Sequence, residues 1–270
     1  MSQEGVKKNR QYFNRYIRNF WIVYAVSCMS IILLFVFTSY GLLGFMPTFE
    51  ELENPKSNLA SEVIAADQVI LGKYYIENRT VSHYSELSPH LVNALIATED
   101  ARFSKHSGID FRSVFRVILR NLIGGNRSAG GGSTITQQLA KNLFPRQENA
   151  GAFSIVFRKF KEWIIATKLE RDYTKNEITA MYLNTVDFGS QSFGIKSAAK
   201  TYFNKTPSEL NTEESAMLIG MLKAPSWFNP VRNPERAIKR REVVLKQMQK
   251  YNYINKEQYD SLRTLKTDMS

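Results

Sequence analysis

The 270-residue sequence holds a single cysteine, Cys28, which excludes an intramolecular disulfide and any cysteine-built zinc site. Acidic residues are also in short supply: 25 Asp and Glu against 36 Lys and Arg leave a formal charge of +11 and a pI of about 9.6. Such a balance asks for an anionic partner, and nucleic acid, acidic lipid or a phosphorylated substrate would each satisfy it. Hydrophobic residues make up 43% of the chain and charged residues 23%, which fits neither a disordered tail nor a polytopic membrane protein. Internal repeats and heptad arrays are missing too. The length suits one good-sized globular domain with a small appendage.

Charge of either sign is missing from Phe20 to Met46, where the run is strongly apolar. At ~1.5 Å per residue, a helix over 19–46 exceeds the ~30 Å hydrocarbon core and can span it with some tilt. Trp21, Tyr24 and Tyr40 stand near its ends, where amphipathic rings favour the interface. A cleaved signal peptide is the alternative, but the segment is too long for a typical apolar signal core and no small-residue cleavage site follows Met46. Cys28 falls inside this span.

Residues 1–18 carry Lys7, Lys8, Arg10, Arg15 and Arg18 against Glu4, a net +4, whereas Glu50 and Glu51 follow the span. The excess of positive charge places residues 1–18 in the cytoplasm and everything from about 47 onward on the outer, periplasmic face of the cytoplasmic membrane. The outer part then retains +7 of the total +11. A basic domain in that place excludes nucleic acid as its partner and favours anionic lipid or a lipid-linked phosphate.

Residues 47–84 read as a juxtamembrane connector, with Ser61–Ala66 and Val69–Ile76 flanking Asp67-Gln68 as a short β-hairpin. From Pro89 the apolar residues recur at helical steps, as in Leu91, Leu95 and Ile96 or Val114, Val117, Ile118 and Leu122. Five glycines in the nine residues 124–132 interrupt that pattern with a loop. Helical periodicity resumes over 134–143, 154–171, 175–184, 195–202, 211–222 and 234–250. The outer domain, 85–235, is therefore expected to be mainly α, with 236–270 as a helical extension.

Three clusters could carry chemistry. Glu99-Asp100 closes an apolar helix and is followed by Phe103, His106, Gly108 and Asp110; a carboxylate at a buried helix end can be desolvated into a general base, or it is a solvated acidic terminus. His106 alone reads as a structural hydrogen-bonder. The glycine loop then feeds Ser133-Thr-Ile-Thr-Gln-Gln-Leu-Ala-Lys141, where free helix N–H groups and hydroxyls suit phosphate, although no Gly-Lys-[Ser/Thr] closes it as in a Walker A loop. Arg158 and Lys159 fall one turn before Glu162 on a helix, either to hold a diphosphate or metal in register or as an exposed ion-pair ladder. Ser197-Ala-Ala-Lys200 has the Ser-x-x-Lys spacing of penicillin-interacting enzymes, but no Ser-x-Asn or Lys-Thr-Gly accompanies it, and it reads as an ordinary helix.

In order and spacing these segments resemble the family 51 peptidoglycan glycosyltransferases, the monofunctional transglycosylases and the N-terminal domains of class A penicillin-binding proteins. The resemblance covers roughly 85–235. It runs through Glu99-Asp-Ala-Arg-Phe103-Ser-Lys-His106-Ser-Gly108-Ile-Asp110, Gly132-Ser-Thr-Ile-Thr-Gln-Gln-Leu-Ala-Lys-Asn142 and Arg158-Lys-Phe-Lys-Glu162 with Leu169-Glu170. It continues through Tyr182-Leu-Asn184, Phe188-Gly189, Gly194-Ile195, Ala198-Ala199, Tyr202-Phe203, Ala224-Pro225 and Asn229-Pro230.

The resemblance implies a mainly α, lysozyme-like domain with a membrane-proximal jaw. The implied reaction polymerises lipid II into β-1,4 glycan, with the growing strand on undecaprenyl diphosphate as donor and inversion at the anomeric carbon. It makes Glu99 the base toward the acceptor hydroxyl and Glu162 the second carboxylate, positioning the diphosphate or a divalent cation, Mg or Mn. It places Asp100, Phe103, His106, Ser133, Thr134, Gln137, Gln138, Lys141, Arg158, Lys159 and Asn184 at the substrate. Proteins of cell-wall elongation or division are implied partners, beside the membrane itself. The segment from Arg240 to Tyr259 resembles the lead into a transpeptidase domain, which suggests the N-terminal part of a class A penicillin-binding protein. Two rivals remain: a lysozyme-like lytic glycosidase using Glu99 as acid, and an inactive membrane-tethered scaffold.

Overall fold

A computed structural model of the chain describes residues 3–42, 61–64, 70–74, 81–124, 132–143 and 152–265. The chain divides into two units, Met1–Pro47 with Asn149–Ile164, and Thr48–Glu148 with Ile165–Ser270.

The first unit contains the 37-residue helix α1, Gln3–Ser39. Among the described residues one helix is long and apolar enough to cross a membrane by length and composition, the stretch Phe13–Ser39 of α1. Phe20, Trp21 and Tyr24 meet edge to face along it, with centroids 5.6 and 5.7 Å apart. The helix stops at Ser39, short of the expected Met46. Gly41 takes φ +75°, its N–H donates to the Thr38 carbonyl, and the Leu42 N–H reaches the Phe37 carbonyl at 3.0 Å, closing the last turn. Positions 43–46 lie outside the described residues. The same unit holds the first part of helix α5, Ala152–Asp172, whose Phe160 ring sits between Phe35 at 4.8 Å and Trp163 at 5.6 Å.

The second unit begins with the expected hairpin. Strands β1, Ser61–Ile64, and β2, Ile70–Tyr74, pair antiparallel with Ser61 opposite Tyr74 and Val63 opposite Gly72. The Asp67-Gln68 turn falls outside the described residues, as do positions 125–131 of the glycine loop. Beyond the hairpin the main elements are helices: α2, Pro89–Glu99; α3, Phe111–Gly124; α4, Ile135–Leu143; the remainder of α5; α6, Lys175–Thr185; α7, Ile195–Phe203; α8, Thr212–Met221; α9, Pro234–Lys250; and α10, Lys256–Leu262. The protein is mainly α, with one two-stranded hairpin among the described residues.

Local sequence explains the helix starts. Ser88 accepts from the His90 N–H while Pro89 opens α2, and its hydroxyl donates to the Leu210 carbonyl at 2.7 Å, tying the start of α2 to the entry of α8. Thr174 with Glu177 and Asn211 with Glu214 form reciprocal capping boxes at α6 and α8. The core is built where α9 lies against α8 and α2. Leu91 and Leu95, Leu218 and Ile219, and Val244 and Leu245 are fully buried there, so α9 packs into the second unit's own core. α4 and α6 pack side by side, bringing Gln138 against Tyr182.

Candidate active site

Glu99 is the last residue of α2, and the chain leaves the helix abruptly at Asp100, with φ −154° and ψ 74°. That break turns the two adjacent acids to different tasks. Asp100 is buried and accepts from His106 Nε2 at 3.0 and 3.1 Å and from the Ile135 N–H at 3.2 Å, the first residue of α4. A carboxylate at a helix N-terminus is favoured by the unpaired amides and the helix dipole. Asp100 therefore joins the end of α2, the loop carrying His106 and the start of α4.

Gly108 is the second joint. Its φ of +86° is left-handed, and a Cβ there would stand 2.9 Å from the backbone carbonyl of Ala166, so only glycine fits. Its own carbonyl accepts from Thr134 Oγ1 at 2.7 Å and Gln137 Nε2 at 3.0 Å. Asp110 then caps α3 by accepting from the Arg112 and Ser113 N–H groups and the Ser113 hydroxyl, with Arg102 Nε 3.2 Å away. Burial pushes the Asp110 carboxyl up, but the Ser113 bonds, with Arg102 and His106, outweigh it and hold the group below the ordinary carboxylate range.

On this frame Glu99 is held by one face of α4. Gln138 Nε2 donates to Glu99 Oε2 at 2.8 Å, and the Tyr182 hydroxyl donates to Gln138 Oε1 at 2.9 Å. Burial, and then the charge of Glu99, push the Tyr182 hydroxyl far above its usual range, so it remains a protonated donor and fixes the orientation of the Gln138 amide. Oε1 of Glu99 accepts no hydrogen bond from the described residues. The half-buried Glu99 lines a cavity of about 330 Å³, shared with Arg102, Arg116, Ser133 and the end of α9 at Gln247 and Lys250. Arg240, two turns before Gln247 on α9, is pulled down by burial and pushed back up by the Glu99 charge.

The structure gathers Glu99, Asp100, Phe103, His106, Ser133, Thr134, Gln137 and Gln138 in the second unit, but in unequal positions. Asp100, Phe103, Thr134 and Gln137 are buried, and Thr134 and Gln137 are spent on Gly108. Lys175 Nζ lies 4.2 Å over the Phe103 ring and donates to the His106 carbonyl and to Glu170, whose carboxylate also takes the Thr136 hydroxyl. Asn184 exchanges two hydrogen bonds with the Ser82 backbone at 2.8 and 2.9 Å. Lys141 is exposed in the last turn of α4. Arg158, Lys159 and Glu162 belong to the first unit, where Lys159 Nζ pairs with Glu162 at 2.9 Å, one turn apart on α5.

Several participants escape a reading of the residues alone. Tyr182 stands two residues before Asn184 in a matched segment, but nothing in its spacing announces a bond to Gln138. Gly108 and Asp110 were visible as residues, not as joints. Arg240, Gln247 and Lys250 lie in a stretch that reads as an extension.

No group of three or more His, Cys, Asp or Glu side chains among the described residues is disposed to hold a metal ion. Glu162, the residue that resemblance couples to a divalent cation, has an ammonium as its immediate partner. The described residues do not fit a protein-built metal site, and no step is derived through one.

Comparison with known proteins identifies the family of this chain. A family model described as transglycosylase matches residues 67–249, and the chain belongs to that family. Penicillin-binding protein 1A of Aquifex aeolicus is 41% identical over 227 residues, covering 82% of this chain and 30% of that protein. Penicillin-binding protein 1A of Escherichia coli is 36% identical over 249 residues, covering 91% of this chain and 28% of its own. Penicillin-binding protein 1F of Bacillus subtilis is 39% identical over 196 residues, covering 73% and 27%. The chain thus spans less than a third of the length of these relatives. The match continues to 249, which includes most of α9.

Proposed function

We propose that the chain is a peptidoglycan glycosyltransferase that polymerises lipid II at a membrane surface. The observation that carries this reading is Glu99. It is a carboxylate with one oxygen fixed by Gln138, its other oxygen accepting from no described residue, in the wall of a polar cavity edged by cations. A group so placed can take the proton of the acceptor's GlcNAc 4-hydroxyl as that oxygen attacks the anomeric carbon of the growing strand. The lipid diphosphate leaves with inversion and needs no enzyme nucleophile. It departs with accumulating negative charge, so cations and oriented N–H groups supply the electrostatic stabilisation.

Within that scheme Ser133, Gln138 and Lys141 serve the donor side of the second unit. In the first unit, Arg158 and Lys159 form a basic pair able to hold a phosphate, and Glu162 steadies Lys159 from one turn away. Asp100, His106, Thr134 and Gln137 position Glu99 and the start of α4. Phe103 and Asn184 hold the loops on either side. The part of α1 from residue 19 to Ser39 anchors the chain, with residues 1–18 cytoplasmic and the second unit on the outer face, which turns the search for a lipid substrate into a two-dimensional one.

The test is incubation of the full chain in detergent or vesicles with purified lipid II. Longer glycan with release of the lipid diphosphate supports the reading. Shortening of finished glycan without consumption of lipid II would replace it by a hydrolase, and a folded protein that does neither would leave a scaffold.

A further inference from the structure

The last turn of α9 faces the same cavity as Glu99, although the sequence places it more than a hundred residues beyond Glu99. We propose that Lys250, together with Arg116, forms a subsite that holds an anionic group, phosphate or carboxylate, of the acceptor substrate. The proposal rests on the glycosyltransferase reading and adds a binding element to it.

The charge balance of the cavity wall points to an anion. Three cations line it, Arg102, Arg116 and Lys250, against three acids, Glu99, Asp100 and Asp110. Two of the acids are already committed: Asp100 is buried against His106 and the start of α4, and Asp110 caps α3 and pairs with Arg102. What remains facing the space is Glu99 with Arg116 and Lys250, an excess of one positive charge. Neither of those two cations forms an ion pair with any described residue. Arg116 donates a single hydrogen bond, to the Ser113 hydroxyl at 3.1 Å, and the Lys250 ammonium lies 5.1 Å from the Tyr251 ring centroid. A wall with two uncommitted cations and one proton acceptor fits a ligand that brings both a hydroxyl and an anion.

The size and setting narrow which substrate this is. A cavity of about 330 Å³ takes the end of one acceptor, the sugar that offers the hydroxyl and the anion carried by the sugar behind it, and not a strand. The substrate whose hydroxyl must reach Glu99 is the acceptor. Of the residues given to the donor side, Ser133 stands at the border of this space, while Lys141, assigned to the leaving diphosphate, does not line it. The geometry of the last turn suits the task as well. α9 is fixed along its length by Val244, Leu245 and Met248, all buried, so Gln247 and Lys250 are presented from a rigid element.

Lipid II offers two anions of the required kind, its diphosphate and the carboxylates of its stem peptide. The experiment measures initial rates with a preformed lipid-linked glycan donor at saturation and lipid II varied as acceptor, using the full chain and its Lys250→Gln, Arg116→Gln, Lys250→Arg and Lys246→Gln variants. Loss of one charge-assisted contact is expected to raise the acceptor KM about tenfold for Lys250→Gln and for Arg116→Gln. The kcat and the donor KM should stay within twofold, and Lys250→Arg should restore the acceptor KM. Lys246, exposed on α9 and off the cavity, is the charge control and should behave as the parent. With an acceptor lacking the stem peptide, a persistent Lys250→Gln penalty assigns the anion to the diphosphate, and its disappearance assigns it to a carboxylate. An unchanged acceptor KM in Lys250→Gln, with an active parent, overturns the subsite and leaves the glycosyltransferase reading intact. An equal defect in donor and acceptor KM overturns it too. A parent that polymerises nothing fails the earlier reading instead.

Discussion

Replacing Glu99 by glutamine separates chemistry from architecture, because the structure shows how the substitution can be absorbed. Glu99 Oε2 takes a hydrogen bond from the Gln138 amide at 2.8 Å, and a glutamine side chain can offer Oε1 to the same donor. The bond weakens from charge-assisted to neutral, a loss of about 1 kcal/mol. In a domain of this size that lowers the melting temperature by roughly 2–4 °C. The chain from Tyr182 through Gln138 persists, so the cavity keeps its shape. The proton acceptor is gone, however, and general-base catalysis contributes roughly 10²–10⁴ in rate, or about 3–5.5 kcal/mol of barrier. Glu99→Gln should therefore retain a cooperative thermal transition within a few degrees of the parent while the initial rate of lipid II polymerisation falls at least a hundredfold. The two measurements belong together on one preparation. A variant that polymerises within tenfold of the parent rate removes Glu99 from the role of base, and a large drop in melting temperature shows instead that the carboxylate holds the fold.

Tyr182→Phe removes the donor that orients Gln138 and leaves a half-buried amide oxygen unpaired, so stability should fall by about 1–3 kcal/mol and the rate about tenfold; a parent-like rate shows that the amide needs no orienter. Gly108→Ala brings a Cβ to 2.9 Å from the Ala166 carbonyl at φ +86°, so unfolding by heat or denaturant should reveal a loss of roughly 2–4 kcal/mol, and a shift under 1 kcal/mol refutes the close approach. Asp110 has a lowered pKa in the folded chain, so the stability it adds is present above its unfolded value, ~3.9, and is lost as pH falls through the lower folded value. The gap in melting temperature between the parent and Asp110→Asn should accordingly be widest near neutrality and close as the pH falls through the lowered folded value; a gap that does not change with pH assigns the effect to the neutral hydrogen bonds.

Much of the fold could be read from periodicity and caps. The paired strands Ser61–Ile64 and Ile70–Tyr74, the helix starting at Pro89 and the long helices after residue 150 all appear where alternation or three-to-four spacing puts them, because those signals are local. Apolar composition continues to Met46, but a glycine in the left-handed region at position 41 stops the helix at Ser39, and hydropathy alone carries no information about φ. The site was legible only as a set of residue types. Spacing puts Glu99 beside Asp100, but it cannot say that the chain breaks between them so that one acid faces a cavity and the other is consumed inside. Nor can it place Tyr182 behind Gln138, 44 positions earlier, or bring the end of α9 to the wall beside Glu99, since those contacts arise from packing between distant helices.

The division of labour within the motifs follows from that packing. Of the residues between 99 and 138 that the chemistry singled out, most face inward: Asp100 and Asp110 cap helices, His106 buttresses Asp100, and Thr134 and Gln137 grip the Gly108 carbonyl. Each of these bonds joins elements that carry the cavity wall, and none needs a substrate to be satisfied. A base acting on a sugar hydroxyl gains little from mobility and much from arriving already oriented, since misplacement by about 1 Å can cost a hundredfold in rate. The conspicuous polar residues of these segments are accordingly a frame for one carboxylate. Recognition of the substrate then falls to less conspicuous positions, Arg116 on α3 and Lys250 at the end of α9, where a charge can be left without a partner inside the protein because a ligand is there to supply one.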